Sequence, residues 1–141
     1  MAEATNIAVI EGKDDDFIAW TFGTLNSSAL ALGRSFDGTD LQIRATDADG
    51  TMVGGLFAQE ILGWLFIKYL VVAEASRDQG IGGRLLARAE EEARRLKLSG
   101  VYLDTYEFQS PRFYLREGYQ EIGRLPEVGD APTRIWFAKT F

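Results

Sequence analysis

The hydrophobic pattern changes period several times along the chain, and each change predicts an element. Thr5–Ile10 alternates and predicts a short first strand. Asp14-Asp15-Asp16 then opens a stretch in which Phe17, Ile18, Phe22, Leu25, Ala29 and Leu32 recur at about helical spacing, with Gly33 as its stop. Leu41–Thr46 and Thr51–Ile61 read as strands joined by an Asp47-Ala48-Asp49-Gly50 turn, and Gly54-Gly55 suggests a bulge or close backbone packing. Trp64–Val72 is apolar at both parities, which predicts a central strand. Residues 80–97 form the clearest helix: Leu85, Leu86, Ala89, Ala93 and Leu96 make one stripe, with Glu90–Arg94 and Glu91–Arg95 as i,i+4 pairs. Val101–Thr105 predicts a strand, and Pro111–Glu117 a short helix with proline in its first turn. Gly118–Arg124 and Arg134–Thr140 close the chain as strands. This alternation predicts an α/β (α+β) domain over residues 1–141, its sheet flanked by helices on both faces.

Composition narrows the chemistry more than the fold. With 141 residues, the chain suits one hydrophobic core. It contains no cysteine and no histidine, which excludes disulfides, Cys-based zinc sites, Cys nucleophiles and His-dependent triads. Acid–base work falls to Asp, Glu, Tyr, Lys, water or backbone. No D-x-D-x-D-G loop is present and no metal is expected. The start, Met1-Ala2-Glu3-Ala4-Thr5, lacks the basic and apolar parts of a secretory leader, and no apolar run approaches the ~18 residues of a membrane span, so a cytoplasmic protein is expected. The net charge of −6 argues against a nucleic-acid partner. Residues 1–60 carry three basic and ten acidic side chains, residues 61–141 twelve and eleven. The acidic first half either serves solubility or lines a site for a cationic acceptor or substrate.

The chemistry concentrates between the central strand and the clearest helix, in Arg77-Asp78-Gln79-Gly80-Ile81-Gly82-Gly83-Arg84. Glycines there let a ligand approach the backbone. The free N–H groups and positive dipole end of the following helix then form an anion site suited to pyrophosphate. Arg77 and Arg84 can add charge-assisted hydrogen bonds. Two other phosphate loops fit poorly. A P-loop needs Gly-Lys followed by Ser or Thr, and a G-x-G-x-x-G fingerprint finds Leu85 at its last glycine.

These residues resemble the GNAT superfamily of N-acetyltransferases. Arg77-Asp-Gln-Gly80-Ile-Gly82 is similar to its R/Q-x-x-G-x-G/A signature, and Phe113-Tyr114-Leu-Arg-Glu-Gly118-Tyr119 to its F-Y-x-x-x-G-F/Y. Gly63-Trp-Leu-Phe-Ile67 and the stretch from Leu103 to Tyr114 look like small bacterial members. The sequence departs from the family at Glu74, where many relatives have proline, at Glu107, where many have asparagine, and at Lys68, where an acidic residue is expected.

The resemblance implies a mixed, mostly antiparallel twisted sheet of about six to seven strands and acetyl-CoA as co-substrate. It implies that the strand ending Leu70-Val71-Val72 splays from Val101–Thr105, freeing backbone groups for the pantetheine arm. A backbone N–H near Leu70 or Val71 would polarise the thioester, and Arg77, Gln79, Gly80, Ile81, Gly82, Gly83 and Arg84 would hold the diphosphate. Tyr114 is implied as general acid, lying against the cofactor. Without a cysteine, a Cys-linked acyl-enzyme cannot form, so direct attack by a primary amine in a ternary complex is expected. The acceptor would be a small-molecule or peptide amine, and the closing strands of such folds often build homodimers. For the base, Glu60, Glu74 and Glu107 are candidates beside a water chain. Trp20, Phe22, Trp64, Tyr69 and Tyr106 either shape the acceptor pocket or pack the core. A non-catalytic acyl-CoA-binding or sensing domain is the main alternative, and a nucleotide-phosphate binder a further one.

Overall fold

The computed structural model describes residues 4–141. The Met1–Glu3 part of the start read above as lacking a leader lies outside them. The chain divides into two compact units, Met1–Phe36 and Asp37–Phe141.

In the first unit, α1 spans Asp15–Leu30. Asp14 caps it, its Oδ1 accepting the Phe17 N–H at 2.9 Å, which satisfies one of the orphan donors of the first turn. The Asn26 side chain ties the segment after the helix back onto it by accepting the Phe36 N–H at 2.7 Å. The strand expected at Thr5–Ile10 does not form. Ile7 and Val9 are almost fully exposed, and the first unit, whose element among the described residues is α1, offers no strand to pair with. Alternation alone does not make a strand, which needs a neighbour to take its hydrogen bonds.

In the second unit, six strands make one sheet in the order β1-β2-β3-β4-β6-β5. They are β1 Thr39–Thr46, β2 Met52–Ile61, β3 Trp64–Val72, β4 Gly100–Tyr106, β5 Gln120–Arg124 and β6 Arg134–Thr140. Every pairing is antiparallel except β3 with β4. That parallel pair requires a crossover, and α2, Ile81–Arg95, supplies it. A second helix, α3, spans Pro111–Arg116. The β1–β2 turn is held by Asp47, whose Oδ1 accepts the N–H groups of Asp49 and Thr51, each at 2.9 Å.

Alternate residues of the strands face α2 and build the core. Leu56 and Ala58, Leu65 and Ile67, Val101 and Leu103, and Ile135 and Phe137 meet Leu85, Leu86, Ala89 and Ala93, with Tyr114 and Tyr119 in the same cluster. Gly54 of β2 lets α2 settle on the sheet: a Cβ there would lie 3.2 Å from side-chain carbons of both Ile81 and Leu85. This explains Gly54 as close packing. A register shift against β1 also falls beside it, where Ala45 pairs with Gly54 and Thr46 with Met52, and a second one lies between Phe57 and Ala58 in the β2–β3 pairing.

The expected Glu90–Arg94 and Glu91–Arg95 pairs do not form. Arg88 reaches Glu91 at 3.3 Å and Glu92 at 2.7 Å, and Arg95 reaches Glu92 at 2.8 Å. Glu90 follows Leu86 by four residues and precedes Ala93 by three, so it faces inward. There its carboxylate accepts from the Tyr119 hydroxyl at 2.9 Å and from Lys139 Nζ at 3.0 Å.

Candidate active site

The site begins where two parallel strands part. β3 and β4 are matched at Leu65–Val101, Phe66–Tyr102 and Ile67–Leu103, and no further. Beyond that point β3 continues to Val72 against β2 alone. The Ala73 N–H donates to Val53 O at 2.8 Å, on the β2 side. Strand alternation then turns the backbone groups of Val71 toward β2 and those of Leu70 and Val72 toward the gap. The two residues named for the thioester are thereby distinguished, and Leu70 is the one whose N–H faces the opening.

A sharp loop closes the end of the gap. A 3-10 turn at Glu74–Ser76 leads to Asp78 and Gly80, both in the left-handed region at φ 64° and 75°. Gly80 caps α2 with no side chain, so the amides of Ile81, Gly82 and Gly83 at the first turn are free to take an anion. Arg77 turns back over this loop, its Nε donating to Val72 O at 3.3 Å.

These pieces line one cleft of about 820 Å³. Leu70, Val71 and Val72 form one wall, Arg77, Gly80, Ile81, Gly82 and Gly83 another, and Tyr114 stands in the third with Phe113. A methyl at Gly82 would stand 3.5 Å from the Phe113 ring and 3.7 Å from Val72, so a side chain there would fill the space between the walls. The free amides, the unpaired strand edge and the glycine clearance fit a long ligand with an anionic diphosphate and an amide-bearing arm.

Tyr114 is 7% exposed. Its ring packs against Phe113, Tyr119 and Phe137, with centroids 5.0, 6.0 and 5.9 Å away. Its hydroxyl has no protein hydrogen-bond partner among the described residues, and no such buried side-chain atom is sequestered without one, so the group opens to the cleft. Burial, with a smaller contribution from the Asp104 carboxylate, pushes its pKa up to about 12. The phenol therefore holds its proton throughout the neutral range. Neighbouring Tyr119 is also pushed up, chiefly by burial and then by Glu90.

Several expected residues stand elsewhere. Gln79 and Arg84 are exposed and do not line the cleft; one sits at the outer tip of the loop, and the other points away at the fourth position of the helix. None of the three candidate bases lines it either. Glu60 braces the β2–β3 hairpin, accepting the Gly63 N–H at 3.4 Å, at the opposite end of β3 from Leu70. Glu74 is carried outward on the 3-10 turn, and Glu107 is exposed beyond β4. Trp20 and Phe22 belong to α1 of the first unit. Trp64 packs edge-on against Tyr102 at 6.1 Å, Tyr69 stacks on Phe57 at 6.2 Å, and Tyr106 stacks on Phe108 at 5.7 Å. Trp136 is a strand residue, as expected.

The carboxylates of the first half serve local structure at Asp14, Asp47 and Glu60. The cleft's own charged groups are Arg77, Arg116, Asp78 and Glu117. Sequence reasoning missed Glu117, whose Oε1 would stand 3.0 Å from a Cβ at Gly83. The only signal was its place inside the Phe113–Tyr119 stretch. Among the described residues no group of acidic side chains could hold a metal ion, and no helix is long and apolar enough to cross a membrane.

Comparison with known proteins agrees with this geometry. A family model described as an acetyltransferase (GNAT) domain matches residues 42–121. An acetyltransferase of Agrobacterium fabrum is 40% identical over 112 residues, covering 79% of this chain and 82% of its own. The blasticidin-S acetyltransferase of Streptomyces morookaense is 37% identical over 91 residues, 62% of this chain and 67% of that one. A crystal structure from Agrobacterium tumefaciens, assigned as an acetyltransferase, superposes with a TM-score of 0.87 at 35% identity, covering 97% of this chain and 100% of the other.

Proposed function

The chain belongs to the GNAT acetyltransferases and uses acetyl-CoA as its co-substrate, and from that premise we propose that it acetylates a small-molecule primary amine by direct attack within a ternary complex. The observation that supports this reading best is the meeting of three features in one cleft. These are the unpaired β3 edge at Leu70 and Val72, the uncapped first turn of α2, and the Tyr114 hydroxyl.

Each feature answers a chemical need. The α2 amides and Arg77 neutralise the diphosphate of the co-substrate. The Leu70 N–H faces the gap and stabilises charge on the thioester oxygen as the amine adds. The nitrogen–carbon bond forms and the carbon–sulfur bond breaks, Tyr114 gives its proton to the departing sulfur, and the phenolate regains a proton from water, to which the amine has released its own. A donor with a raised pKa is reliably protonated when needed. With Glu60, Glu74 and Glu107 away from the cleft, the amine's proton leaves through water.

A small-molecule acceptor is favoured by the relatives, one of which is a blasticidin-S acetyltransferase and another an aminoalkylphosphonate N-acetyltransferase. The test is release of CoA thiol from acetyl-CoA across an amine panel, with calorimetric titration of acetyl-CoA alongside. Amine-dependent release supports the reading. Tight binding with no release for any amine would reassign the cleft to sensing.

A further inference from the structure

The sheet face turned away from α2 carries an arginine held in an unusual frame. Along β6, Ile135 and Phe137 enter the core, which sends Arg134 and Trp136 to the other face. The Arg134 guanidinium lies 4.8 Å from the Trp136 ring and 5.9 Å from the Tyr106 ring. Its Nε donates to Asp104 Oδ1 at 2.8 Å. Two aromatic faces and one carboxylate thus fix the plane of the group. Its terminal nitrogens have no protein hydrogen bond or ion pair among the described residues, and the side chain is 37% exposed.

Position gives this frame its meaning. Asp104 is the first β4 residue past the last matched pair, Ile67–Leu103, so the arginine stands beside the mouth of the gap. The same Asp104 charge contributes to the raised pKa of Tyr114, which ties the frame electrostatically to the cleft hydroxyl. Lys68, the first β3 residue past that pair, is exposed and makes no ion pair among the described residues. Its Nζ lies 5.7 Å from the Tyr69 ring. Two cations therefore stand at the parting of the strands, and one of them presents a pre-oriented pair of N–H groups of the sort that binds oxyacids bidentately.

We propose that the acceptor amine carries a carboxylate, phosphonate or phosphate group, and that the terminal nitrogens of Arg134 bind it at the mouth of the β3–β4 gap. Asp104 is then a positioning residue that holds the fork in plane. The assignment of the ligand as acceptor rests on the acetyl-transfer reading, while the anion site itself does not. It also reverses the expectation of a cationic acceptor drawn from the acidic first half of the sequence.

The experiment has a binding arm and a turnover arm. ω-Amino acids, aminoalkylphosphonates and aromatic amino acids, each beside its amide or ester, are titrated by calorimetry into the CoA-saturated protein and then assayed for thiol release. At least one anionic member should bind about ten-fold or more tighter than its neutral counterpart. Arg134→Gln should raise its Kd and KM about ten- to hundred-fold, to near those of the neutral counterpart, and shift kcat much less. Arg134→Lys should recover only part of the loss, because an ammonium cannot reproduce the fork. Thermal melts and acetyl-CoA titration show whether the variants are folded. Equal binding of charged and neutral members, or equal loss for both in folded Arg134→Gln, overturns the proposal. Selective anion binding without turnover of any amine supports the anion site and sinks the acetyl-transfer reading instead.

Discussion

Tyr119 donates its hydroxyl proton to Glu90 Oε2 at 2.9 Å, joining the start of β5 to the middle of α2 through a buried carboxylate. Lys139 of β6 completes the arrangement from the other carboxylate oxygen at 3.0 Å, with its ammonium 5.2 Å from the Tyr119 ring. A buried charge is tolerable only when paired, so the two partners should differ in weight. Lys139→Met removes the countercharge and should destabilise the protein by about 3 kcal/mol, near the lower end for such pairs because Lys139 keeps some exposure. Tyr119→Phe removes one hydrogen bond to a charge and should cost about 1–3 kcal/mol. Urea unfolding of the two variants against the parent reads both. Equal, negligible losses would mean that Glu90 is hydrated.

Tyr114→Phe isolates the proton from the ring. The phenyl retains the contacts with Phe113, Tyr119 and Phe137, so the melting temperature should hardly move. Acetyl-CoA binding should hold within a few-fold, while kcat falls about 10²-fold or more, the usual range for a lost general acid. Steady-state kinetics with calorimetry separates the two. An unchanged kcat would leave Tyr114 a packing residue alone.

The raised tyrosine pKa also has a sign in stability. Unfolded, the phenol loses its proton near pH 10; folded, Tyr114 keeps it to about pH 12. Across that window the native state binds the extra proton, so stability is full below pH 10 and falls as pH rises to 12, by about 1.4 kcal/mol per pH unit for one such group. Tyr119 acts in the same direction. Denaturant midpoints measured from pH 9 to 12 should decline, and the decline should be shallower in Tyr114→Phe. A flat profile would show that the phenol is hydrated.

Most of the site was readable from the chain because its signals are local. A helix stripe, three glycines at a strand-to-helix turn and a Phe-Tyr pair occupy short stretches. The frame around Arg134 was not, since Asp104 and Arg134 are thirty positions apart and meet only through the β4–β6 register. The same holds for Glu90 with Lys139, forty-nine positions apart, where helical spacing suggested a partner four residues away. None of the base candidates lines the cleft, for a related reason. A glutamate near the end of a strand can lie at either end of the sheet, and Glu60 lies at the hairpin end. Thr5–Ile10 shows the opposite error, a correct period with no strand partner inside its own unit.

The sharpest test of the loop is Gly80. At φ 75° it takes a left-handed conformation to begin α2, and a Cβ there would meet nothing within 4 Å. Gly80→Ala therefore brings backbone strain without a steric clash, worth about 1–2 kcal/mol. Part of that cost is avoided if the first turn shifts, and a shifted turn no longer aims the amides of Ile81, Gly82 and Gly83 at the cleft. The variant should lose about 1 kcal/mol of stability and bind acetyl-CoA and CoA more weakly by similar factors, since the diphosphate is common to both. Gly80→Asn, which tolerates left-handed backbone better, should fall between parent and alanine. Calorimetry with both ligands and a urea titration measure these effects. Parent-like affinity in the alanine variant would separate diphosphate binding from the start of α2.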